Sequence, residues 1–415
     1  MRASILPSKR SEWDDDLDDL ELLALPSIHA ASEISSASKI AFAQFLRLQI
    51  LSPKTQTAHM FQTWSKLWLK PQNLKKARSF LQELGCWREY LSSITDGTDR
   101  DTHGDLFKAL QTFALVRQHQ VESLGLVNAA TSDSAKILFT GAKTRSQSTR
   151  RAPITPTPTR SSRRRGASGI TRALAHFHLE EEEQPQSSPG WITDSELLLT
   201  PASPIRGLAA KDYKATRDES IVNTALCDLL AALILHCRDI RGHCSQWRAP
   251  FIVRNRGGGK IFEARVDGVL ESRPHGSIFA ILEVKPFLRG HSKTSEDEIR
   301  MQEGAQMAAW IATHPPRLAD RDMGRYWQGP LTIPFDHCAT DLNHRRMLIS
   351  QDRHEIYITI GEFDQRYIDY VQARDNPEAP AFLQMHSFGP FDTKKATHMQ
   401  VLAETVIAYA MQECE

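Results

Sequence analysis

"VDGVLESRPHGSIFAILEVKP", residues 266–286, holds two extended runs, each with an acid at one end. The apolar run Ile278-Phe279-Ala280-Ile281-Leu282 reads as a strand in a core, yet it ends in Glu283-Val284-Lys285, where burial of charge is expensive. Upstream, an apolar-alternating run over 261–266 closes in Asp267. Between them Arg273-Pro274-His275-Gly276 supplies turn chemistry. A hairpin symmetric about residue 275 sets Asp267 opposite Glu283, and opposed residues on antiparallel strands lie about 4.5–5.5 Å apart. Residues two apart on a strand share a face, so Glu283 and Lys285 project together. Two carboxylates so close repel one another unless a cation joins them. Oxygen donors favour Mg²⁺ or Mn²⁺ over zinc. An ammonium such as Lys285 orients a water or stabilises a phosphorane-like transition state. The competing reading is a surface Asp-Glu-Lys network; the apolar strand that Glu283 and Lys285 terminate argues against it.

Around this hairpin the order is helix, strand, turn, strand, helix. Periodicity predicts a helix over 217–238, strands over 251–254, 260–270 and 277–284, and a helix over 296–312. Strands over 347–350 and 355–361 flank the turn Gln351-Asp352-Arg353-His354, and Asp392 caps a last helix over 393–411. With this order, the spacing D-x(15)-E-V-K resembles the core of the PD-(D/E)XK nuclease superfamily through Asp267, Glu283, Val284 and Lys285. "ISQDRHEIYITIGEFDQRYIDYV" (349–371) and "FLQMHSFGPFDT" (382–393) are similar to the PD-(D/E)XK nuclease-like domain of filamentous fungal proteins. The resemblance covers about 190–415. Val266 stands where the superfamily has its leading Pro, a position that varies.

The resemblance implies an α/β (α+β), restriction-endonuclease-like domain with a mixed central sheet flanked by helices. It implies Mg²⁺- or Mn²⁺-dependent hydrolysis of phosphodiester bonds; the expected partner is nucleic acid, DNA ahead of RNA. Asp267, Glu283 and the Val284 carbonyl are then metal ligands, and Asp267, Glu283 and Lys285 the catalytic set. The alternative is a catalytically inactive protein of the same fold that binds nucleic acid or regulates through contacts.

Such nucleases often carry a further acid on the preceding helix. Glu219 shares a helical stripe with Val222, Leu226, Leu230 and Leu233, whereas Asp228 falls about half a turn away. Glu219 is therefore the added metal ligand, unless it is simply a first-turn acid favoured by the helix dipole. Asn223, one turn on, either supports the site or packs. On the following helix Gln302 and Gln306 align with Trp310. Some superfamily branches set a Gln and an aromatic four residues later against the site, usually with Tyr; Trp310 otherwise belongs to the core. Lys260, Arg289, His291 and Lys293 are candidate phosphate contacts at the rim. Gly257-Gly258-Gly259-Lys260 opens no helix with a Lys-Ser/Thr step, which excludes a P-loop.

Composition divides the 415 residues into four stretches. Residues 1–27 form an acidic tail whose Trp13, Leu17, Leu20, Leu22 and Leu23 fit a solvated tail, the edge of a first helix, or a partner-binding segment. Residues 28–126 read as helical. Ile40, Phe42, Phe45, Leu46 and Ile50 mark one helix, and Met60, Phe61, Trp64 and Trp68 a second. Phe80, Leu81, Leu84 and Trp87 mark a third, and Leu106, Leu110, Phe113 and Leu115 a fourth. That half offers a surface for a protein partner. Residues 127–205 read as a disordered basic linker rich in Pro, Ser and Thr, joining this half to a separate unit over 206–415.

Within the linker, Arg150-Arg151 and Arg163-Arg164-Arg165 are spaced like a two-part nuclear import signal, and Thr155-Pro, Thr157-Pro, Thr200-Pro and Ser203-Pro fit proline-directed phosphorylation. The same basic charges also suit phosphate neutralisation. Six cysteines show no paired spacing of a disulfide scaffold, and His236-Cys237 and His243-Cys244 match no compact zinc pattern. The N-terminal stretch, with Asp14-Asp15-Asp16 and Asp18-Asp19, does not read as a signal peptide, and no uninterrupted apolar run reaches membrane length. The expectation is an intracellular protein, nuclear or cytoplasmic, neither secreted nor membrane-bound.

Overall fold

A computed structural model describes residues 6–20, 28–29, 35–96, 112–124, 218–274, 276–289, 296–316, 344–374 and 380–415. The linker over 127–205, with its import-like clusters and proline-directed sites, lies outside them, as do His291 and Lys293.

The first half of the chain supplies α1 (Arg10–Asp19), α2 (Phe42–Arg47), β1 (Ile50–Leu51), α3 (Ala58–Ser65), α4 (Pro71–Glu83), α5 (Gly85–Asp96) and α6 (Thr112–Ser123). The second half supplies α7 (Glu219–His236), β2 (Gly242–Ser245), β3 (Pro250–Arg254), β4 (Lys260–Arg265), β5 (Gly268–Ser272) and β6 (Ser277–Lys285). It continues with α8 (Glu296–Thr313), β7 (His344–Asp352), β8 (Glu355–Phe363), α9 (Gln365–Val371), β9 (Leu383–Asp392) and α10 (Ala396–Cys414).

Seven strands form one mixed sheet in the order β1-β9-β8-β7-β6-β5-β2. The β6–β7 and β1–β9 pairs are parallel and the others antiparallel. Strand alternation sorts the side chains of β6 between two cores. Ala280, Leu282 and Val284 join a core with α7 and α10, while Ile281 joins one with α8 and with the β3–β4 ribbon. The fold is therefore a mixed α/β sheet with helices on both faces.

The first half is not a separate unit. Residues Met1–Val127 and Pro201–Glu415 make one compact body. Phe61, Leu81 and Trp87 share a core with Leu226, Leu282 and Val406, and β1 extends the sheet by pairing with Leu383 and Gln384. Ile50 is thus a strand residue rather than the end of a helix. The helix stops because Gln49 adopts φ 53, a left-handed conformation that helices do not propagate. Part of the acidic tail also folds. Trp13 and Leu17 of α1 pack against Leu46 and Leu51, and the Trp13 indole N–H donates to the Leu46 carbonyl at 3.0 Å.

The expected strand over 260–270 is two strands. β4 pairs with β3 in a two-stranded ribbon and β5 enters the main sheet, with Val266 and Asp267 at the change of direction. By length and mean hydropathy α7 is apolar enough to cross a membrane, although Glu219, Asn223 and Asp228 interrupt its apolar run. Here its Val222, Leu226, Leu230 and Leu233 are buried within the protein.

Candidate active site

The β5–β6 register carries the two acids together. Gly268 pairs with Leu282, Val269 with Ile281 and Leu270 with Ala280, so the hairpin is symmetric about residue 275 near its open end. Asp267 lies one residue beyond this ladder, close enough for its charge to act on Glu283. The Asp267 N–H donates to the Leu282 carbonyl at 2.9 Å, and its Oδ2 accepts the Val284 N–H at 3.1 Å. Gly268 permits this closeness, because a Cβ there would stand 2.8 Å from the Ser245 carbonyl and 3.0 Å from Leu282 Cδ1. Asn223 donates to the Asp267 carbonyl at 3.1 Å and so ties α7 to the site.

Glu283 lies on the α8 face of β6, is only 3% exposed, and is gripped from two elements. Lys285, two residues along the same face, forms an ion pair with its Oε1. Gln302 donates to Oε1 at 2.5 Å and Gln306 to Oε2 at 2.6 Å, one helical turn apart on α8. Gln306 also reaches the Arg265 carbonyl at 2.8 Å, which secures the end of β4. The helical spacing of these two glutamines does place them against the acid. Trp310 does not join them: it is buried beside Phe251, with the Arg346 guanidinium 4.2 Å from its ring centre.

Arg248, in the loop between β2 and β3, is the site residue that sequence reasoning missed. Its guanidinium lies 3.0 Å from Asp267 Oδ1 and 3.6 Å from Glu219 Oε1, while its side chain is 64% exposed. Glu219 therefore approaches Asp267 across α7, as its stripe position implied. Asp228 turns away and pairs with His119 of α6 at 2.8 Å.

Burial first, and charge repulsion second, act on the acids. Burial pushes Glu283 up to about 7; Lys285 opposes this and Asp267 reinforces it. Burial and then Asp267 likewise raise Glu219. Burial works to lower Lys285, but Glu283, Glu219 and Asp267 outweigh it and hold the side chain as an ammonium. Carboxylates raised by burial and by a neighbouring acid suit a hard divalent cation, and Asp267, Glu283, Glu219 and the Val284 carbonyl are all oxygen donors. Among the described residues, no three His, Cys, Asp or Glu side chains are gathered into a metal shell by themselves.

Two of the expected rim contacts are placed elsewhere. The Arg289 side chain is 3% exposed and ion-paired with Glu303 and Asp352. It also donates to Ser350 Oγ at 2.7 Å and lies 4.0 Å over the Tyr357 ring. A guanidinium so enclosed braces β6, β7 and α8 and does not reach solvent phosphate. Lys260 is exposed but pairs with Glu263 at 2.6 Å. It begins β4, ~16 Å along the strand from Arg265.

Compared with known proteins, the chain matches no family model, no curated protein and no solved structure.

Proposed function

We propose that the chain is a divalent-metal-dependent nuclease with a restriction-endonuclease-like arrangement, hydrolysing phosphodiester bonds of nucleic acid, DNA ahead of RNA. One observation carries the reading: a buried glutamate held by a lysine of its own strand and two glutamines of the next helix, with an aspartate on the facing strand. Burying that much charge on an apolar strand costs stability without a use for it. Asp267, Glu283, the Val284 carbonyl and Glu219 are the donors for Mg²⁺ or Mn²⁺. When bound, the ion supplies Lewis-acid polarisation and a water of lowered pKa. Lys285, already an ammonium, donates to the developing charge on a phosphate oxygen. Gln302 and Gln306 are positioning residues that fix the Glu283 carboxylate.

A second reading, a non-catalytic nucleic-acid-binding protein of the same architecture, draws on Arg248. That cation already neutralises Asp267 and Glu219, as an ion otherwise would.

Incubating the full chain with single-stranded DNA, duplex DNA and RNA in Mg²⁺, Mn²⁺ or chelator separates the two. The nuclease reading expects cleavage that chelator and Glu283→Gln both abolish. Retained, salt-sensitive binding with no cleavage in any metal establishes the second reading instead.

A further inference from the structure

We propose that the loop between β2 and β3 binds a single-stranded stretch of nucleic acid, with Trp247 stacking on an unpaired base and Arg248 holding an adjacent phosphate. The inference deepens the nuclease reading and rests on it for the identity of the ligand.

Gln246, Trp247 and Arg248 are exposed in succession, and Trp247 is 56% exposed. Tryptophan is largely buried on average in folded proteins, and among the described residues no other ring packs on this one. The loop beneath it is nevertheless held. The Trp247 N–H donates to Ser245 Oγ at 3.2 Å, and the Ala249 N–H to the Trp247 carbonyl at 2.8 Å, a tight turn centred on Arg248. Ala249 in turn accepts the Val266 N–H at 3.4 Å, next to Asp267. An indole displayed on a fixed backbone loses little freedom on binding.

Its neighbour identifies the ligand. Arg248 reaches the carboxylates where a scissile phosphate has to approach, through a side chain that is 64% exposed. An exposed ion pair is weakly held, and a guanidinium binds phosphate through paired hydrogen bonds as readily as it binds carboxylate. Arg248 therefore exchanges acid for phosphate when substrate arrives. The residue beside it then meets the next nucleotide of the same strand. In a duplex, base faces are covered by their neighbours, so an isolated indole gains nothing there. On a single strand every base has a free face, and stacking is tolerant of sequence.

The test uses the full chain in chelator, with a short fluorescent oligonucleotide as a single strand and as its blunt duplex. Trp247→Ala is expected to weaken single-strand binding about tenfold or more and to leave duplex binding within about twofold. Trp247→Phe, which keeps a ring, retains most of the affinity. Arg248→Gln is expected to flatten the dependence of log K on log salt by about 0.7, the loss of one phosphate contact. Equal losses on both substrates, or none on either, overturn the inference. If wild type binds neither in chelator yet cleaves in Mg²⁺ or Mn²⁺, the inference falls and the nuclease reading stands. Trp247-dependent single-strand binding without cleavage in any metal sustains the inference and removes the nuclease reading alone.

Discussion

Glu283 combines near-complete burial with three donors on one carboxylate, and this sets how the site responds to pH. Its carboxyl is raised by burial to about 7 from an ordinary 4.5, so below neutrality it is protonated in the folded protein. A metal ion has to displace that proton. Mn²⁺ affinity is therefore expected to rise about tenfold per pH unit up to pH ~7 and then to level, with Glu283→Gln removing the slope. Equilibrium dialysis or calorimetry across that range checks it. The same shift has a stability sign. An acid raised by folding favours the folded state below its unfolded pKa and loses that contribution as pH rises through the folded one. Without metal, Glu283→Gln is thus less costly at pH 8 than at pH 5, by thermal unfolding. The nearness of Asp267 to the end of β6 was legible because it depends only on the register of a short hairpin. Arg248 was not, because its place beside Asp267 follows from β2 lying against β5, and nothing in the local sequence of "SQWRAP" (245–250) announces that contact.

At the scale of elements, β6 is ordered by the groups just past its end. Arg289 joins Glu303 of α8 to Asp352 of β7, whose register with β6 sets Asp352 beside Lys285. Burial raises Asp352 to about 6 even with Arg289 opposing it. Arg289→Ala leaves two buried acids uncompensated and is expected to cost about 3–5 kcal/mol in denaturant unfolding. The cost grows from pH 5 to pH 8 as Asp352, raised by burial, is forced to ionise without its guanidinium. A surface phosphate contact would instead weaken nucleic-acid binding and leave stability unchanged. Sequence placed Arg289 at the rim because a lone Arg after a strand looks solvated; its partners are 14 and 63 residues away. Likewise 260–270 reads as one strand because the alternation runs through Val266. The bend at Asp267 comes from the change of partner strand, from β3 to β6, which alternation does not encode.

The whole molecule is closed by its first half. β1 pairs with β9, Arg300 of α8 donates to Ser52 Oγ at 2.7 Å, and Tyr367 of α9 donates to the Leu48 carbonyl at 3.0 Å. Helical periodicity identified apolar faces over 28–126, but a stripe does not say what it packs against, and so the two halves read as independent. A 206–415 fragment would expose Phe388, Phe391, Met399 and Val406, together with the edge of β9. It is expected to lack a cooperative unfolding transition and to aggregate through that edge, whereas co-expressed 1–127 and 206–415 should elute as a 1:1 complex. A monomeric 206–415 fragment with a sharp transition would contradict the shared core.

The central claim is that Asp267, Glu283 and Lys285 form a phosphodiester-cleaving centre. Its most direct test is single-turnover cleavage of a labelled strand by the full chain in Mn²⁺, comparing wild type with Lys285→Ala and measuring Mn²⁺ and strand affinity on the same preparations. Lys285 acts on developing charge, so the substitution should reduce the cleavage rate by about a hundredfold or more while metal and strand affinities stay within severalfold. Cleavage by Lys285→Ala at the wild-type rate, or none by wild type with both ligands bound, would contradict it.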